Sequence, residues 1–341
     1  MKVLRRRQHL WRYLFVFAAL ALLLTGCGDP RLNSLDPSGP AGRVQLSLIQ
    51  LSFWIMFGVL TVVTIIYVYV LVRFRERPGQ NEIPKQVEGN TKLEILWTVI
   101  PIVLLAVLAV PTVSTTFSLS KKSPQGQAIE VKVVGHQYWW EFIYPQYGFR
   151  TSQELHIPVG KKVHFEVTST DVIHAFWVPN LGGKVDAIPG KKNYMWLQAD
   201  KPGRYAGKCA ELCGASHALM DFTVIAQTQQ DFDKWVKAQQ HPQSMATNKT
   251  LEQGKKLVAQ NCIGCHAVRG AGFRYEGKKG PELTGFGQRT TIAGFLPHDE
   301  KHLQAWLKNP QAFKPGARMP KIGYLDDQEM KALTQYLMSL K

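Results

Sequence analysis

The sequence predicts three structural parts: a hairpin of two membrane-spanning α-helices, an all-β domain and an all-α domain. Three observations lead to this prediction. Two uncharged apolar stretches lie in the N-terminal third, short alternating runs broken by Gly and Pro follow, and helical segments flank a cysteine pair near the C-terminus. The 341 residues suffice for two folded domains besides an anchor, at roughly 150 residues per domain.

Composition and charge exclude several classes of protein. A hydrophobic content of 45% with 11% aromatic residues excludes an intrinsically disordered chain. The net charge of +16 is spread along the sequence without a block of basic and aromatic residues, so we expect no nucleic-acid partner. One lone cysteine and two close pairs do not form the framework of a disulfide-rich secreted protein.

Residues 1–26 are predicted to be a lipoprotein signal peptide. Basic residues up to Arg12 precede an apolar run from Tyr13 to Leu24, which is short for a membrane span. The run ends in Leu-Thr-Gly-Cys, which resembles a bacterial lipoprotein box and implies lipidation of Cys27. The alternative is an uncleaved anchor with an idle thiol.

Two membrane helices are predicted at about residues 46–72 and 95–113, within an N-terminal segment spanning residues 27–120. Both stretches are uncharged and long enough to cross a bilayer at ~1.5 Å per residue, and membrane helices tolerate the prolines of the second. The loop between them is rich in Arg and Lys, which places it in the cytoplasm and the later domains outside a bacterial cell membrane. A buried globular helix is the alternative for the second stretch.

Residues 121–227 are predicted to form an all-β sandwich or barrel. The segments 129–134, 162–167, 193–197 and 221–225 alternate apolar and polar residues, and Pro-Gly turns separate them. This pattern is typical of short β-strands joined by turns.

One stretch of this domain is rich in soft metal ligands. Two thiols four residues apart can bridge two metal ions, and each ion then needs one imidazole and one weak axial ligand. The sequence supplies that set as His174, Cys209, the Glu211 backbone carbonyl, Cys213, His217 and Met220. Copper prefers such sulfur and imidazole donors, so we predict a binuclear copper site.

Two other interpretations of the cysteine pair stay open at this point. A disulfide between Cys209 and Cys213 leaves His217 and Met220 without a role. Zinc accepts two Cys and two His, but its usual ligand spacing is tighter and it has no use for a thioether.

After a polar linker at residues 228–249, residues 250–341 are predicted to be an all-α haem domain. The run Cys262-Ile-Gly-Cys265-His266 is the c-type haem attachment signature, in which two thiols join the haem and His266 becomes the proximal iron ligand. A thioredoxin-like motif is a weaker alternative, because no βαβ pattern surrounds it.

The sixth iron ligand is predicted to be Met319. It lies in a Pro- and Gly-rich loop just before a terminal helix at residues 326–340. His298 and His302 are rival candidates.

The copper motif with a His 35 residues before its first Cys resembles cytochrome c oxidase subunit II, and the similarity extends over residues 44–225. The resemblance implies a cupredoxin-like barrel with the binuclear copper (CuA) ligands named above. It also implies that the Glu211 carboxylate, with Asp186 nearby, faces a magnesium site shared with subunit I. Glu94, in the motif that opens the second span, corresponds to a carboxylate at the mouth of a proton channel.

The aromatic run of the chain departs from that family. The family usually has Gln-Trp-Tyr-Trp, and its first Trp receives electrons from cytochrome c, whereas this chain has Gln137-Tyr138-Trp139-Trp140. Tyr138, Trp139 and Trp140 are therefore all candidates for receiving electrons. The alternative is that these rings only pack under the metal loops.

Residues 250–341 resemble a small class I cytochrome c, with Gly254 and Tyr336 where the first and last helices cross and Pro281 behind the proximal His. A copper subunit fused to such a domain resembles the caa-type bacterial oxidases. This resemblance implies subunits I and III as partners and, as upstream donor, a cytochrome or a quinol-oxidising complex.

The resulting hypothesis is an electron relay from haem to copper and on to the haems of subunit I, where dioxygen is reduced and protons are pumped. Neither predicted span contains a His, so oxygen chemistry belongs to the partner subunit. Alternatives are a copper-containing nitric oxide reductase, a membrane-anchored electron carrier and a copper-delivery protein. Because tethering gives an effective concentration of about millimolar, no tight docking surface between the two domains is required.

Overall fold

The structure is a computed structural model that describes residues 2–23, 30–75, 79, 86, 88–121, 128–242, 248–273 and 279–341. The described parts after the membrane hairpin are called here the β-domain, residues 128–242, and the C-terminal domain, residues 248–341. Cys27, the predicted lipidation site, lies outside the described residues.

Three helices form the N-terminal part: α1 (Lys2–Leu23), α2 (Pro40–Arg73) and α3 (Thr91–Leu119). The last two are long and apolar enough to cross a membrane, and each extends several residues beyond the apolar stretch seen in the sequence. Helix α2 starts with a proline, which suits a first helical position, and the Asn90 side chain caps α3. A proline start and a polar cap thus define the first turns of α2 and α3, which lie outside the apolar stretches.

The outer end of α2 contacts the β-domain. The amide of Gly42 donates a hydrogen bond to the Leu181 carbonyl (3.0 Å), and the Arg43 guanidinium pairs with Asp200. The anchor therefore meets the β-domain directly at its membrane side.

The β-domain consists of two five-stranded sheets packed face to face. Its strands are β1 (Ile129–His136), β2 (Trp139–Tyr144), β3 (Phe149–Ser152), β4 (Glu154–Pro158), β5 (Val163–Ser169), β6 (His174–Trp177), β7 (Lys184–Ala187), β8 (Asn193–Leu197), β9 (Gly203–Cys209) and β10 (Asp221–Gln227). One sheet has the order β3-β2-β1-β5-β8, and the other has the order β4-β10-β9-β6-β7. Strands β1 and β5 are parallel, as are β4 and β10.

Aromatic side chains fill the space between the two sheets. Trp140 and Phe142 from one sheet meet Phe176 and Phe222 from the other, with ring centroids 5.7 to 6.4 Å apart across the sheets. Gly207 leaves room for the Phe222 ring, since a Cβ there would lie 2.2 Å from it. This packing fixes the strand ends that carry the predicted metal ligands.

The predicted linker contains a helix that the sequence analysis missed, α4 (Gln229–Gln240). Phe232 and Val236 are buried against the β-domain core, and Trp235 stacks on His156 with ring centroids 4.1 Å apart. Three apolar residues at helical spacing were enough to bind this otherwise polar segment to the β-domain.

The C-terminal domain is helical, as predicted. Its elements are α5 (Lys249–Asn261), β11 (Thr291–Ile292), β12 (Leu296–Pro297), α6 (Glu300–Lys308), α7 (Pro310–Phe313) and α8 (Asp327–Ser339). Helices α5 and α8 cross at Gly254, where a Cβ would lie 2.3 Å from the Ala332 carbonyl oxygen and 2.5 Å from the Cβ of Tyr336. Only glycine permits this close helix crossing.

Candidate metal centres

The predicted copper ligands lie at one end of the β-domain, where strands stop and a loop begins. His174 opens β6, Cys209 closes β9, and the segment from 209 to 220, called here the copper loop, leads into β10. The loop closes on itself because the Cys209 amide donates to the Met220 carbonyl at 3.2 Å. Strand pairing therefore brings together ligands that are 46 residues apart or fewer in sequence, from His174 to Met220.

The donor atoms converge as the sequence motif requires. The sulfurs of Cys209 and Cys213 are 3.8 Å apart. The His174 Nδ1 lies 3.8 Å from the Cys209 sulfur, and the His217 Nδ1 lies 3.7 Å from the Cys213 sulfur. The Met220 sulfur is 3.8 Å from that of Cys213, and the Glu211 carbonyl oxygen is 3.2 Å from the Cys209 sulfur.

This geometry bears on the alternatives. A sulfur separation of 3.8 Å is far longer than a disulfide bond of about 2.05 Å, and both cysteines are free. Two thiol sulfurs flanked by one imidazole each, with a thioether and a carbonyl at the margins, offer two equivalent sets of soft donors. Such a set fits a pair of copper ions that share the sulfurs.

The two thiols are electrostatically coupled. Both are buried, and Cys213 lowers the pKa of the Cys209 thiol through their contact, while the same contact with Cys209 raises the pKa of Cys213. Two negative charges at this separation repel each other, so one proton stays on the pair until metal ions replace it.

Asp171 orients His174, a role that the sequence analysis did not assign. The imidazole Nε2 donates to the Asp171 carboxylate at 2.8 Å, which leaves Nδ1 free on the side of Cys209. Burial acts to lower the pKa of His174, but contacts with Cys209 and Asp171 outweigh it and raise that pKa. A carboxylate three residues before a ligating His is the sequence signal that could have revealed this support.

The three aromatic candidates occupy different places. Trp140 is fully buried beneath the copper loop, and its indole N–H donates to the Met220 carbonyl at 3.4 Å. Trp139 stacks on His136 with centroids 4.1 Å apart. Tyr138 lies between the copper loop and the C-terminal domain, because Cβ atoms placed on Gly214 and Gly316 would come within 2.4 and 3.2 Å of its hydroxyl oxygen.

The predicted magnesium residues lie on one exposed side of the copper loop. Asp186 pairs with Ala175 across β7 and β6, and the Ala175 carbonyl accepts the Ala210 amide, next to Glu211. Both acidic residues are exposed. Glu94 lies in the first turn of α3, at one end of a predicted membrane span and far along the chain from the β-domain.

In the C-terminal domain, His266 is held in the orientation that an iron ligand needs. Its Nδ1–H donates to the Pro281 carbonyl at 2.6 Å, so Nε2 carries the free lone pair. Burial lowers the pKa of His266 although the bond to Pro281 acts against it, so the imidazole is neutral at pH 7. Gly280 keeps this approach open, since a Cβ there would lie 2.8 Å from the imidazole.

The other predicted haem-binding residues lie in different surroundings within the C-terminal domain. Cys262 is buried and Cys265 is exposed, at the end of α5. Met319 is half-buried against the hydrophobic core of the domain. Of the rival ligands, His302 binds the Asp299 carboxylate at the start of α6, and His298 packs on the Phe286 ring. A neutral, backbone-oriented His beside two thiols fits covalent haem c.

The two domains make a polar contact with buried side chains, which the sequence analysis did not predict. The bonds across it include those from Thr290 N and Oγ1 to Glu154 (2.8 and 2.5 Å), from Gln153 to the Ala293 carbonyl (3.0 Å), from Arg269 to the Gln239 carbonyl (2.7 Å), from Ser216 to the Pro315 carbonyl (2.6 Å) and from Lys314 to the Tyr138 carbonyl (2.8 Å). The sequence analysis missed this surface because its residues are single polar side chains dispersed over both domains.

Comparison with known families gives three matches along the chain. A family described as cytochrome C oxidase subunit II, transmembrane domain, matches residues 31–115. The periplasmic domain of the same subunit matches residues 148–227, and cytochrome c matches residues 251–341.

Individual relatives match over almost the full length. The cytochrome c oxidase subunit 2 of Alkalihalophilus pseudofirmus is 47% identical over 328 residues, covering 94% of this chain and 95% of the relative. That of Bacillus sp. (strain PS3) is also 47% identical, over 347 residues, covering 97% and 98%. The crystal structure of the periplasmic domain of subunit II of cytochrome oxidase (CoxB) of Bradyrhizobium japonicum is 34% identical, covers 35% of this chain and 96% of that chain, and gives a TM-score of 0.33.

Proposed function

The chain belongs to the cytochrome c oxidase subunit II family, and from this premise we propose how its own residues relay electrons. It is subunit II of a cytochrome c oxidase with a fused cytochrome c domain, anchored in a membrane with periplasmic domains and associated with subunit I. This chain supplies a copper centre and a haem c. Oxygen chemistry is assigned to the partner subunit, because neither apolar membrane stretch of this chain contains a His.

The proposed copper ligands are His174, Cys209, the Glu211 carbonyl, Cys213, His217 and Met220. The observation that carries this proposal is the pair of sulfurs 3.8 Å apart with one imidazole Nδ1 beside each. A copper pair held there supplies one-electron transfer with the charge shared over both metals. The chain contributes rigidity, because strand ends and the Asp171 carboxylate fix the donors before metal arrives.

The proposed haem attachment uses Cys262 and Cys265, with His266 and Met319 as iron ligands. Haem c held by these residues would supply one-electron transfer from an external donor. The Pro281 carbonyl sets the tautomer of His266, so that Nε2 faces the ligand side. Of the three aromatic residues, Tyr138 is the one we assign to the space between the domains, while Trp140 supports the copper loop from within the core.

Several finer assignments complete the proposal. We assign a magnesium site at the subunit I interface to Glu211 and Asp186, whose backbones lie on adjoining segments at the exposed side of the copper loop. Glu94, in the first turn of α3, is assigned to the mouth of a proton channel in subunit I. From the resemblance to caa-type oxidases we also infer two partners, subunit III and a donor that is a cytochrome or a quinol-oxidising complex. The same resemblance implies lipidation of Cys27 and a location in a bacterial cell membrane.

Electron paramagnetic resonance of the copper-loaded full chain tests the copper proposal. Two equivalent copper nuclei that share one unpaired electron give a seven-line hyperfine pattern, and we expect that pattern. Met220→Leu should alter it, because the thioether lies beside the Cys213 sulfur. Met195→Leu, a buried methionine of β8, is the matched control and should leave it unchanged. A four-line spectrum from a single copper would contradict the proposal.

A further inference from the structure

Lys314 is a buried cation at the contact between the two domains. Only 3% of its surface is exposed, and its ammonium group donates to the Tyr138 carbonyl of the β-domain and the Ala293 carbonyl of the C-terminal domain, both at 2.8 Å. The ring of Phe295 covers it, with its centroid 5.3 Å from Nζ. Burying an ammonium group costs free energy, which the two hydrogen bonds to carbonyls offset in part. A surface lysine would avoid this cost, so the buried position points to a role at the contact.

The residues that follow Lys314 also contact the β-domain. The segment from 314 to 319 is called here the docking loop, and it ends at the proposed iron ligand Met319. The Pro315 carbonyl accepts a bond from Ser216 of the copper loop at 2.6 Å. Gly316 has a φ of +80°, and a Cβ there would press on the Tyr138 ring at 3.2 Å. Three consecutive residues of the docking loop therefore meet the β-domain.

On the β-domain side, the same contact continues to the copper ligands. Next to Tyr138, the Gln137 side-chain amide donates to the Cys213 carbonyl at 2.7 Å. The Tyr138 hydroxyl packs against Gly214, which follows Cys213. One short series of contacts thus joins Lys314, the segment 137–138 and the copper loop.

From this arrangement, and on the basis of the proposed function, we propose that Lys314 is a positioning residue for electron transfer between the domains. Its ammonium group joins a carbonyl of each domain and so holds the docking loop, with Met319, at a fixed separation from the copper loop. Electron transfer weakens steeply with separation, and a loosely tethered domain would spend much of its time outside the productive geometry. Lys314 acts through this geometry and itself carries no electron.

The test compares Lys314→Met with Lys331→Met in the assembled oxidase complex. Lys331 is an exposed lysine of α8, so its variant controls for the loss of one positive charge. The haem is reduced by a short light pulse with a photochemical reductant, and its reoxidation by copper is followed optically. We expect Lys314→Met to slow this step by about tenfold or more, because docking then leaves the Tyr138 carbonyl without its partner. Lys331→Met should match the unaltered complex.

A second set of readouts separates positioning from a general structural effect. In Lys314→Met the rate at which the reductant reduces the haem, the haem absorption spectrum and the copper resonance spectrum should stay unchanged. Lys314→Gln retains a donor on a shorter, uncharged side chain and should slow the transfer by a smaller factor. If Lys314→Met does not incorporate haem, Lys314→Gln serves as the test variant.

The outcomes also separate this inference from the function on which it rests. Equal haem-to-copper rates in the variants of Lys314 and Lys331 would overturn the positioning role while leaving the relay intact. An unaltered complex in which haem never passes electrons to copper would overturn the relay itself.

Discussion

The two metal-binding domains hold their ligands in different ways. In the β-domain, the donor atoms of Cys209, Cys213, His174, His217 and Met220 lie within 3.8 Å of a neighbouring donor, because strand ends deliver them to one point. In the C-terminal domain, His266 is fixed by a backbone carbonyl, whereas Met319 arrives on a loop after α7. Strand ends bring the first set of donors together, whereas a backbone carbonyl and a separate loop position the two proposed iron ligands.

The difference extends to what stabilises each domain. The β-domain has an aromatic core between its two sheets, and the buried side chains of Cys209, Cys213 and Met220 pack against one end of it. The C-terminal domain has a smaller hydrophobic core, in which helices α5 and α8 cross closely at Gly254. We therefore expect damage in the C-terminal domain to affect its fold first, and damage at the copper loop to affect metal binding first.

The largest predicted effect is from Gly254→Ala. The new methyl group would overlap the Ala332 carbonyl at 2.3 Å, and backbone cannot move aside cheaply. We expect a loss of about 3 kcal/mol in the free energy of unfolding of the C-terminal domain. Denaturant unfolding of the full chain, followed through the haem absorption band, measures it.

Lys255→Ala is the matched control, because Lys255 is the next residue on α5 and is exposed. The copper absorption band reports the β-domain in the same experiment. If the copper and haem transitions shift together in Gly254→Ala, the two domains unfold as one unit and the contrast between them does not hold.

A smaller effect is predicted for Asp171→Asn. The substitution keeps the shape of the side chain but removes the charge that holds the His174 imidazole at 2.8 Å. We expect copper affinity to fall by about 10- to 100-fold, as is usual when an outer partner of a ligand is changed. Competition with a copper chelator measures the affinity. Asp233→Asn, on the exposed side of α4, should have no effect.

Circular dichroism of Asp171→Asn sharpens the comparison. The strand signal should be unchanged, because the aromatic core does not depend on this carboxylate. Loss of strand structure together with loss of copper would mean that the copper loop supports the fold, contrary to the distinction drawn above.

The sequence predicted these sites because ligand chemistry leaves compact motifs. The copper loop carries five of the six predicted donors within twelve residues, from Cys209 to Met220, and the haem motif is five residues long. Long uncharged apolar stretches likewise predicted the membrane hairpin, and alternating apolar residues predicted four of the ten strands of the β-domain, β1, β5, β8 and β10. Each of these signals is local in sequence.

The features that the sequence analysis missed depend on contacts with residues that are distant in sequence. Helix α4 is polar except for the few residues that pack on the β-domain, so its composition resembled a linker. Lys314 sits in a loop with no motif, and its burial arises only because Tyr138, 176 residues earlier, lies opposite. Contacts between domains follow from tertiary structure, which local patterns do not encode.

The smallest predicted effect concerns pH and the contact between the domains. In the undocked state Lys314 would reach water and have its ordinary pKa of 10.5, whereas burial lowers the pKa to about 7 in the docked state. The carboxylate of Asp221 opposes this shift without reversing it. Between about pH 7 and pH 10.5 the docked state therefore binds fewer protons than the undocked state.

The sign of the pH dependence follows from that difference. Docking should strengthen as pH rises from about 7 to 10.5 and weaken as pH falls through the same window, by at most about tenfold per pH unit for one proton. The haem quenches tryptophan fluorescence of the β-domain when the domains are docked, so urea titrations at several pH values measure the strength of docking. Lys314→Met should remove the slope because it has no group to titrate. A slope that persists in this variant would assign the pH dependence to other groups at the contact.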